Sequence, residues 1–126
     1  MENNKFLDKF ENFIHQHKLI RKGDKVLIGF SGGADSTALA LALWHLRSKL
    51  NFSLLAAHVN YQLRGEDSQL DEDFVKAFCF DRNISLVIKH CSLETDSNLE
   101  DTAREIRFTY FNQLLKSYKL NKMALG

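Results

Sequence analysis

The sequence contains no proline among its 126 residues, and it has only two cysteines and one tryptophan. It also lacks internal repeats and low-complexity segments, so nothing marks a flexible linker, and we expect one domain or a part of one. Cys79 and Cys91 show neither a CxxC pair nor the spacing of metal ligands. This favours half-buried free thiols in a reducing compartment over a disulfide.

Long apolar runs are also missing. None approaches the roughly 20 residues that span a bilayer, and the first residues lack the charged-then-apolar layout of a signal peptide. We therefore expect a cytoplasmic protein with no membrane association. The net charge of +1 is too small for a domain that holds nucleic acid by itself, because cationic contacts to phosphate supply most of that affinity. Tight binding of RNA would therefore need residues outside this sequence.

The sequence does contain a regular alternation of apolar strands and helices. Strands are predicted at 25–30, 52–59, 84–88 and 122–125, and helices at 4–18, 36–49, 68–82 and 97–118. Such βαβ units imply an α/β fold, with a Rossmann-like parallel sheet and helices on both faces. The fourth strand has only begun where the sequence ends. A ligand is expected at the carboxyl ends of the strands.

Apolar stripes along three helices predict which residues face the core. The predicted inward residues are Phe6, Phe10, Phe13 and Ile14 on the first helix, Leu70, Phe74, Ala77 and Phe78 on the third, and Ile106, Tyr110, Leu114 and Tyr118 on the fourth.

A glycine-rich turn, residues 31–36 (SGGADS), joins the first strand to the second helix. Adjacent glycines and a free helix N-terminus can direct several N–H groups at one phosphate or pyrophosphate. Ser31 and Ser36 can add hydroxyl donors. Asp35 would repel an anion unless Mg²⁺ bridged the two. The simpler interpretation is a tight turn with Ser31 as helix cap. The spacing matches neither GxxxxGK[ST] nor GxGxxG.

This loop resembles the SGGxDS signature of the PP-loop ATP pyrophosphatases. Within that superfamily, residues 58–65 (HVNYQLRG) resemble the HVNHxLRG segment of the tRNA(Ile)-lysidine synthetases, with Tyr61 where histidine is usual. The acidic stretch at residues 66–75 and the segment at residues 98–108 (NLEDTAREIRF) are also similar, with Phe108 in place of a tyrosine. The resemblance covers about residues 22 to 126.

The resemblance implies an adenine nucleotide alpha-hydrolase-like fold, in which residues 1–126 form an incomplete N-terminal PP-loop domain. It implies that an HHxDD motif and the tRNA-recognising domains lie beyond this sequence. It further implies that ATP adenylates the wobble cytidine of tRNA(Ile), releasing pyrophosphate, and that free L-lysine then displaces AMP to give lysidine. The oligomeric state stays open.

The site residues implied by the resemblance fall into three groups. ATP would contact Ser31, Gly32, Gly33, Ala34, Asp35, Ser36, Ala57 and His58; Asp35 would also hold Mg²⁺ and act in catalysis with Arg104 and Arg107; Asn60 and Arg64 would contact substrate. Each position also has an ordinary structural interpretation. His58 and Asn60 suit a strand-end turn, Arg64 a solvated charge, and the two helix arginines surface ion pairs.

Two other functions stay open. A PP-loop enzyme that inserts sulfur into tRNA would share the loop, although such enzymes commonly pair cysteines at the site, and Cys79 and Cys91 are far apart in sequence. A non-catalytic nucleotide sensor of the universal-stress type would use a similar sheet, although its glycines usually lie later in the chain.

Overall fold

The computed structural model describes residues 5–62, 66–92 and 99–125. Within these ranges helices and strands alternate strictly along the chain. They are α1 (Lys5–His17), β1 (Lys25–Gly29), α2 (Ala34–Leu50), β2 (Ser53–Asn60), α3 (Glu66–Asp81), β3 (Ser85–His90), α4 (Leu99–Ser117) and β4 (Lys122–Leu125).

The four strands form one parallel sheet in the order β3-β2-β1-β4. Leu27 in β1 stands opposite Leu55 in β2 and Met123 in β4. The three apolar residues of β1, Val26, Leu27 and Ile28, are at most 1% exposed, as expected for a strand covered on both faces. The predicted α/β fold with a parallel sheet is therefore confirmed.

Alternate side chains of the strands contribute to two separate cores. Val26 and Ile28 pack with residues of α1, α2 and α3, including Ile14, Leu43 and Val75. On the opposite face, Leu27, Leu55 and Ala57 pack with Phe111 and Leu114 of α4. Three helices thus cover one face of the sheet, and α4 covers the other.

Several predicted boundaries were wrong. α2 begins at Ala34 rather than at Ser36, because Gly33 already has the extended backbone of an N-cap residue. β2 continues through Asn60, one residue beyond the predicted end, so Asn60 lies in the strand and not after it. α3 begins at Glu66, which places Ser68 inside the helix instead of at its cap.

The helical spacing of the apolar residues was predicted correctly, but the face that each helix turns towards the core was partly wrong. In α3 the buried side chains are Glu72, Val75, Phe78 and Cys79, while Leu70 and Phe74 are exposed. The helix is rotated because Glu72 finds polar partners inside and so can be buried. In α1 only Ile14 is fully buried, and in α4 Phe111 and Leu114 are buried; the aromatic side chains Phe6, Phe13, Phe108 and Tyr118 are largely exposed.

A carboxylate secures the amino-terminal edge of the sheet. Asp24, which is 7% exposed, accepts hydrogen bonds from the N–H of Arg21 at 2.8 Å and from Nδ2 of Asn121 at 2.9 Å. Oδ1 of Asn121 accepts the N–H of Lys25 at 2.7 Å. Burial raises the pKa of Asp24. These hydrogen bonds and the nearby Lys122 and Arg21 charges together lower it by more, so the net pKa is below its ordinary value. This link joins the starts of β1 and β4.

Two expectations about the whole chain can be compared with the structure. Within the described ranges, no helix has the length and apolar content needed to cross a bilayer. Cys79 is buried and Cys91 partly buried, and both are free thiols.

Gly29 gives a stability prediction. A Cβ atom built there would lie 2.7 Å from Cδ2 of Leu125 and 2.9 Å from Cε2 of Phe111. Because the Phe111 ring is buried, we expect Gly29→Ala to lower the free energy of unfolding by about 1–3 kcal/mol, measured by urea denaturation. Gly33→Ala is the control, because Gly33 has φ −74° and its nearest contact would be at 3.5 Å. Equal stability of the two variants would contradict the packing argument.

Candidate functional site

A cleft of about 180 Å³ opens at the carboxyl ends of β1 and β2 and is bordered by α4. The predicted loop enters it through two residues, Ser31 and Ser36. The complete lining is Gly29, Phe30, Ser31, Ser36, Ala57, Val59, Tyr61, Arg107, Phe111 and Leu125. The cleft therefore lies where a parallel α/β sheet is expected to bind its ligand.

The two loop glycines have different roles. Gly32 has φ +95°, a conformation that L side chains rarely adopt. A Cβ atom at Gly32 would also lie 3.4 Å from the backbone oxygen of Asp71. Gly33 has an ordinary extended conformation and is the N-cap residue of α2. The positive φ at Gly32 is thus what turns the chain from β1 into the helix.

The loop serines hold this turn in shape. Oγ of Ser36 accepts the N–H of Gly32 at 3.3 Å and donates to the carbonyl of Gly33 at 3.2 Å. Oγ of Ser31 accepts the N–H of Gly33 at 3.2 Å and lies 3.0 Å from Oγ of Ser36. Because the Ser36 proton is used on Gly33, Ser31 is the donor in the serine pair. Both glycine amides are therefore bound to hydroxyl oxygens.

The N-terminus of α2 has no side-chain cap. The first amides of a helix have no acceptor within the helix, so those of Ala34 and Asp35 are available beside the cleft. Helix polarity adds a partial positive charge there. Asp35 lies exposed in the first turn of α2. In the described part of the chain, no three His, Cys, Asp or Glu side chains are grouped as metal ligands.

Ala57 and His58 lie on opposite faces of the sheet. Ala57 lines the cleft, and its carbonyl accepts the N–H of Phe30 at 2.9 Å; its methyl group is therefore what it offers a ligand. His58 is 3% exposed, and its Nδ1 donates to the carbonyl of Phe30 at 2.8 Å. A carbonyl can only accept, so Nδ1 carries a proton. Nε2 is buried and has no hydrogen-bond partner among the residues that the structure describes.

Only one of the two predicted arginines lines the cleft. Arg107 in α4 lines the cleft, whereas Arg104, one turn earlier, is exposed and is not part of its wall. Tyr61 also lines the cleft, and its hydroxyl donates to the carbonyl of Ala103 at 3.0 Å. Burial raises the pKa of Tyr61 more than the nearby Arg107 charge lowers it. Tyr61 therefore joins the end of β2 to α4 as a neutral phenol.

Asn60 is engaged with the protein. Its Nδ2 donates to Oε1 of Glu72 at 3.0 Å, and its Oδ1 accepts the N–H of Gln62 at 2.9 Å. Glu72 also contacts Nε2 of His90 at 2.5 Å and Nζ of Lys76 at 2.8 Å. This arrangement leaves little of the Asn60 amide for a substrate. Arg64 and Asn98, which belong to two of the resembling segments, lie outside the described residues.

Six wall residues of the cleft were not predicted as site residues: Gly29, Phe30, Val59, Tyr61, Phe111 and Leu125. Strand alternation could have identified two of them, because Ala57 was predicted and Val59 and Tyr61 follow at intervals of two. Phe111 was missed because it is far from the loop in sequence, although both line the same cleft. Leu125 enters only through the pairing of β4 with β1.

Glu72 generates a pH prediction. Hydrogen bonding to Lys76 is the largest cause of its lowered pKa; burial opposes it, and Asn60 and His90 lower it further, to about 2 from 4.5. A carboxyl group with a lowered folded-state pKa stabilises the fold above about pH 4.5, and this stabilisation is lost as the pH falls towards 2. We expect Glu72→Gln to reduce the free energy of unfolding by about 1–3 kcal/mol at pH 7.

The difference from the wild type should shrink between pH 4.5 and pH 2, as followed by urea denaturation at each pH. Asp73→Asn removes the same charge from the exposed side of α3 and serves as control. If the difference in unfolding free energy between Glu72→Gln and the wild type stayed constant down to pH 2, the charge of Glu72 would not contribute to stability.

Residues 2–126 match the family model of the PP-loop domain. The chain is 36% identical over 125 residues to a tRNA(Ile)-lysidine synthase of Clostridium tetani and 38% identical to one of Clostridioides difficile, covering 95% and 94% of this chain and 27% of each relative. The chain thus spans about a quarter of the length of these relatives.

A solved structure, the U34-tRNA thiolase NcsA from Methanococcus maripaludis with its [4Fe-4S] cluster, superposes with a TM-score of 0.79 at 23% identity. The superposition covers 96% of this chain and 44% of the thiolase, and at this identity it shows a shared fold. The match to the family model extends over nearly the whole sequence, including the loop, both walls of the cleft and all four strands. The chain belongs to the PP-loop domain family.

Proposed function

We propose that this chain is the ATP-binding portion of a tRNA(Ile)-lysidine synthase. One observation carries the proposal: the loop that turns at Gly32 reaches the cleft through Ser31 and Ser36, beside the uncapped start of α2, and Arg107 lines the same cleft. Amide donors and a cation that converge on one cleft suit a polyphosphate. The relatives named as lysidine synthases match 95% and 94% of this chain. The free thiols of Cys79 and Cys91 agree with a reducing, cytoplasmic location.

ATP fits the chemistry of the cleft in two parts. The loop from Ser31 to Ser36, with Ala34 and Asp35 at the start of α2, would bind the phosphates through amides and hydroxyls. Apolar walls at Ala57, Phe111 and Leu125 would take the adenine. His58 would support the site from the other face by holding the carbonyl of Phe30. The His58 ring lies on the other face of the strand, where it lines a second cavity of about 220 Å³ together with Ser31 of the loop. Any direct contact of His58 with ATP would therefore come from that side.

Mg²⁺ is proposed at Asp35. This ion usually retains several waters and binds through one or two carboxylates together with substrate phosphates, so a single exposed carboxylate in the first turn of α2 is suitable. When bound, the ion would draw off negative charge that develops on the leaving pyrophosphate. Arg107 would contribute to the same neutralisation from α4.

The proposed reaction has two steps. The C2 oxygen of the wobble cytidine attacks the α-phosphorus of ATP and releases pyrophosphate; the ε-amine of free L-lysine then attacks C2 and releases AMP. Arg104, exposed beside the cleft wall, and Arg64 are proposed to meet the tRNA. The earlier prediction that Asn60 contacts substrate is revised to a supporting role, because its side chain is bound to Glu72 and Gln62.

The sulfur-inserting alternative finds less support in the cysteines. Cys79 packs in the core beside Val75 and Phe78, and burial raises the pKa of its thiol to about 11. A thiol that stays protonated at neutral pH is a poor nucleophile. Cys91, at the end of β3, is thus the remaining cysteine of this sequence. A pair of reactive cysteines cannot be formed from these two residues.

Arg107 provides the first test. We expect Arg107→Ala to weaken MgATP binding to this chain by roughly tenfold or more, because the loss of a charge-assisted hydrogen bond has that magnitude. Isothermal titration calorimetry measures the dissociation constant. Lys116→Ala is the matched control, since it removes a positive charge from an exposed position of the same helix. Equal weakening by both variants would indicate a general charge effect.

A hybrid enzyme tests the full reaction. This chain would replace the matching quarter of the Clostridioides difficile relative, and the hybrid would be incubated with tRNA(Ile), ATP and labelled lysine. We expect lysine incorporation with release of pyrophosphate, and we expect this chain alone to bind MgATP without forming lysidine. Arg107→Ala in the hybrid is the control for this site.

The other functions give different results in the same assay. Lysine-independent turnover that requires a sulfur donor would favour thiolation. MgATP binding by the hybrid without release of pyrophosphate would favour a nucleotide sensor. Either result would overturn the proposed function.

A further inference from the structure

A second polar cluster lies beside the cleft, on the opposite face of β2. Its centre is Glu72 of α3, which is 2% exposed and has oxygen contacts with Asn60, His90 and Lys76. Asn60 is the last residue of β2 and His90 the last residue of β3. One buried carboxylate therefore connects α3 to the carboxyl ends of two neighbouring strands.

The cluster reaches the cleft through the end of β2. Asn60, held by Glu72, accepts the N–H of Gln62 on its Oδ1, and its carbonyl accepts the N–H of Cys91 at 3.0 Å. Tyr61 lies between Asn60 and Gln62, the two residues that form this short turn. Its side chain points to the other face, where it lines the cleft and donates to the carbonyl of Ala103 in α4.

We propose that Glu72 is a positioning residue for the cleft: by fixing Asn60, it holds the turn that carries Tyr61 against α4. Movement of Tyr61 would alter the wall that it shares with Arg107. The inference rests on the proposed function only for the identity of the ligand. Glu72 itself lies outside the cleft lining, so its effect on the ligand is indirect.

The chain offers a matched comparison at the opposite end of the sheet. Asp24 is also a buried carboxylate that accepts a hydrogen bond from an asparagine amide, at 2.9 Å from Asn121. The two pairs share their chemistry but differ in location. If buried carboxylates act here only through stability, removing either one should have the same consequence for ligand binding. Glu72 should differ because it alone of the two connects to the cleft.

The experiment compares Glu72→Ala and Glu72→Gln with Asp24→Ala and Asp24→Asn. Isothermal titration calorimetry gives the dissociation constant of MgATP, and NMR gives the hydrogen-exchange rate of the Gln62 amide. We expect Glu72→Ala to weaken MgATP binding by roughly three- to tenfold, the equivalent of one hydrogen bond, and to speed exchange at Gln62. Glu72→Gln keeps an oxygen that accepts from Asn60, so it should recover part of the MgATP affinity and part of the slow exchange at Gln62.

The Asp24 variants should lower the denaturation midpoint while leaving the MgATP dissociation constant within about twofold of the wild type, a change too small to equal a lost hydrogen bond. Asn60→Ala breaks the same link from the other side and keeps the test usable if Glu72→Ala does not fold. Asn60→Ala also removes the acceptor of the Gln62 N–H, so its MgATP affinity, and not its Gln62 exchange, is compared with that of Glu72→Ala. The affinity losses of the two single variants should not add fully in the double variant, because both break the Asn60–Glu72 hydrogen bond.

Three results would overturn the positioning role: unchanged MgATP affinity in Glu72→Ala, unchanged Gln62 exchange, or equal loss of affinity in the Asp24 variants. A wild-type chain that does not bind MgATP would instead overturn the proposed function. In that case Gln62 exchange, together with the nuclear Overhauser contact between Tyr61 and Ala103, still decides whether Glu72 holds the turn.

Discussion

The structure depends on the central position of β1. This strand pairs on one side with β2 and on the other with β4, and its apolar side chains feed both cores. A strand enclosed in this way can receive a ligand only at its ends, and in parallel α/β sheets ligands bind at the carboxyl end, where the chain here turns sharply into α2. Gly32 makes that turn with its positive φ. The location of the cleft therefore follows from burial of β1 before any ligand chemistry is considered.

A close approach of three residues shapes the floor of the cleft. Gly29 has no side chain, and the space that a Cβ atom would need is occupied by Phe111 of α4 and Leu125 of β4. These same residues form the apolar wall. The packing that joins α4 and β4 to the sheet is thus continuous with the proposed adenine site, so fold and site cannot be altered independently at this point.

Most of the fold could be predicted from the sequence, because apolar runs of strand length alternate with helical stripes. The phase of the stripes was harder to predict. In α3 the pattern of Leu70, Phe74 and Phe78 favoured one face, yet Glu72 turns inward because Asn60, His90 and Lys76 compensate its burial. A partner that comes from another strand is invisible to local periodicity. The same limit applies to Phe111, whose contact with Gly29 spans much of the chain.

The part of the site that lies in one local segment was predicted well. The part that depends on which face of the sheet a strand residue points to was predicted less well. The loop from Ser31 to Ser36 lies at the predicted strand–helix junction, and Arg107 reaches the cleft. His58 and Asn60 are adjacent to cleft residues in sequence but lie behind β2, since successive strand residues point in opposite directions. They line a second cavity on that face together with Ser31, and strand periodicity alone does not distinguish the two cavities.

The serine bonds of the loop have a consequence for how quickly a ligand can bind. The amides of Gly32 and Gly33 are occupied by the hydroxyls of Ser36 and Ser31, so the turn keeps its shape without an anion. An arriving phosphate exchanges one set of oxygen acceptors for another, and no segment of the loop has to fold first. Association should therefore proceed at a rate set by encounter and orientation rather than by a slow conformational step.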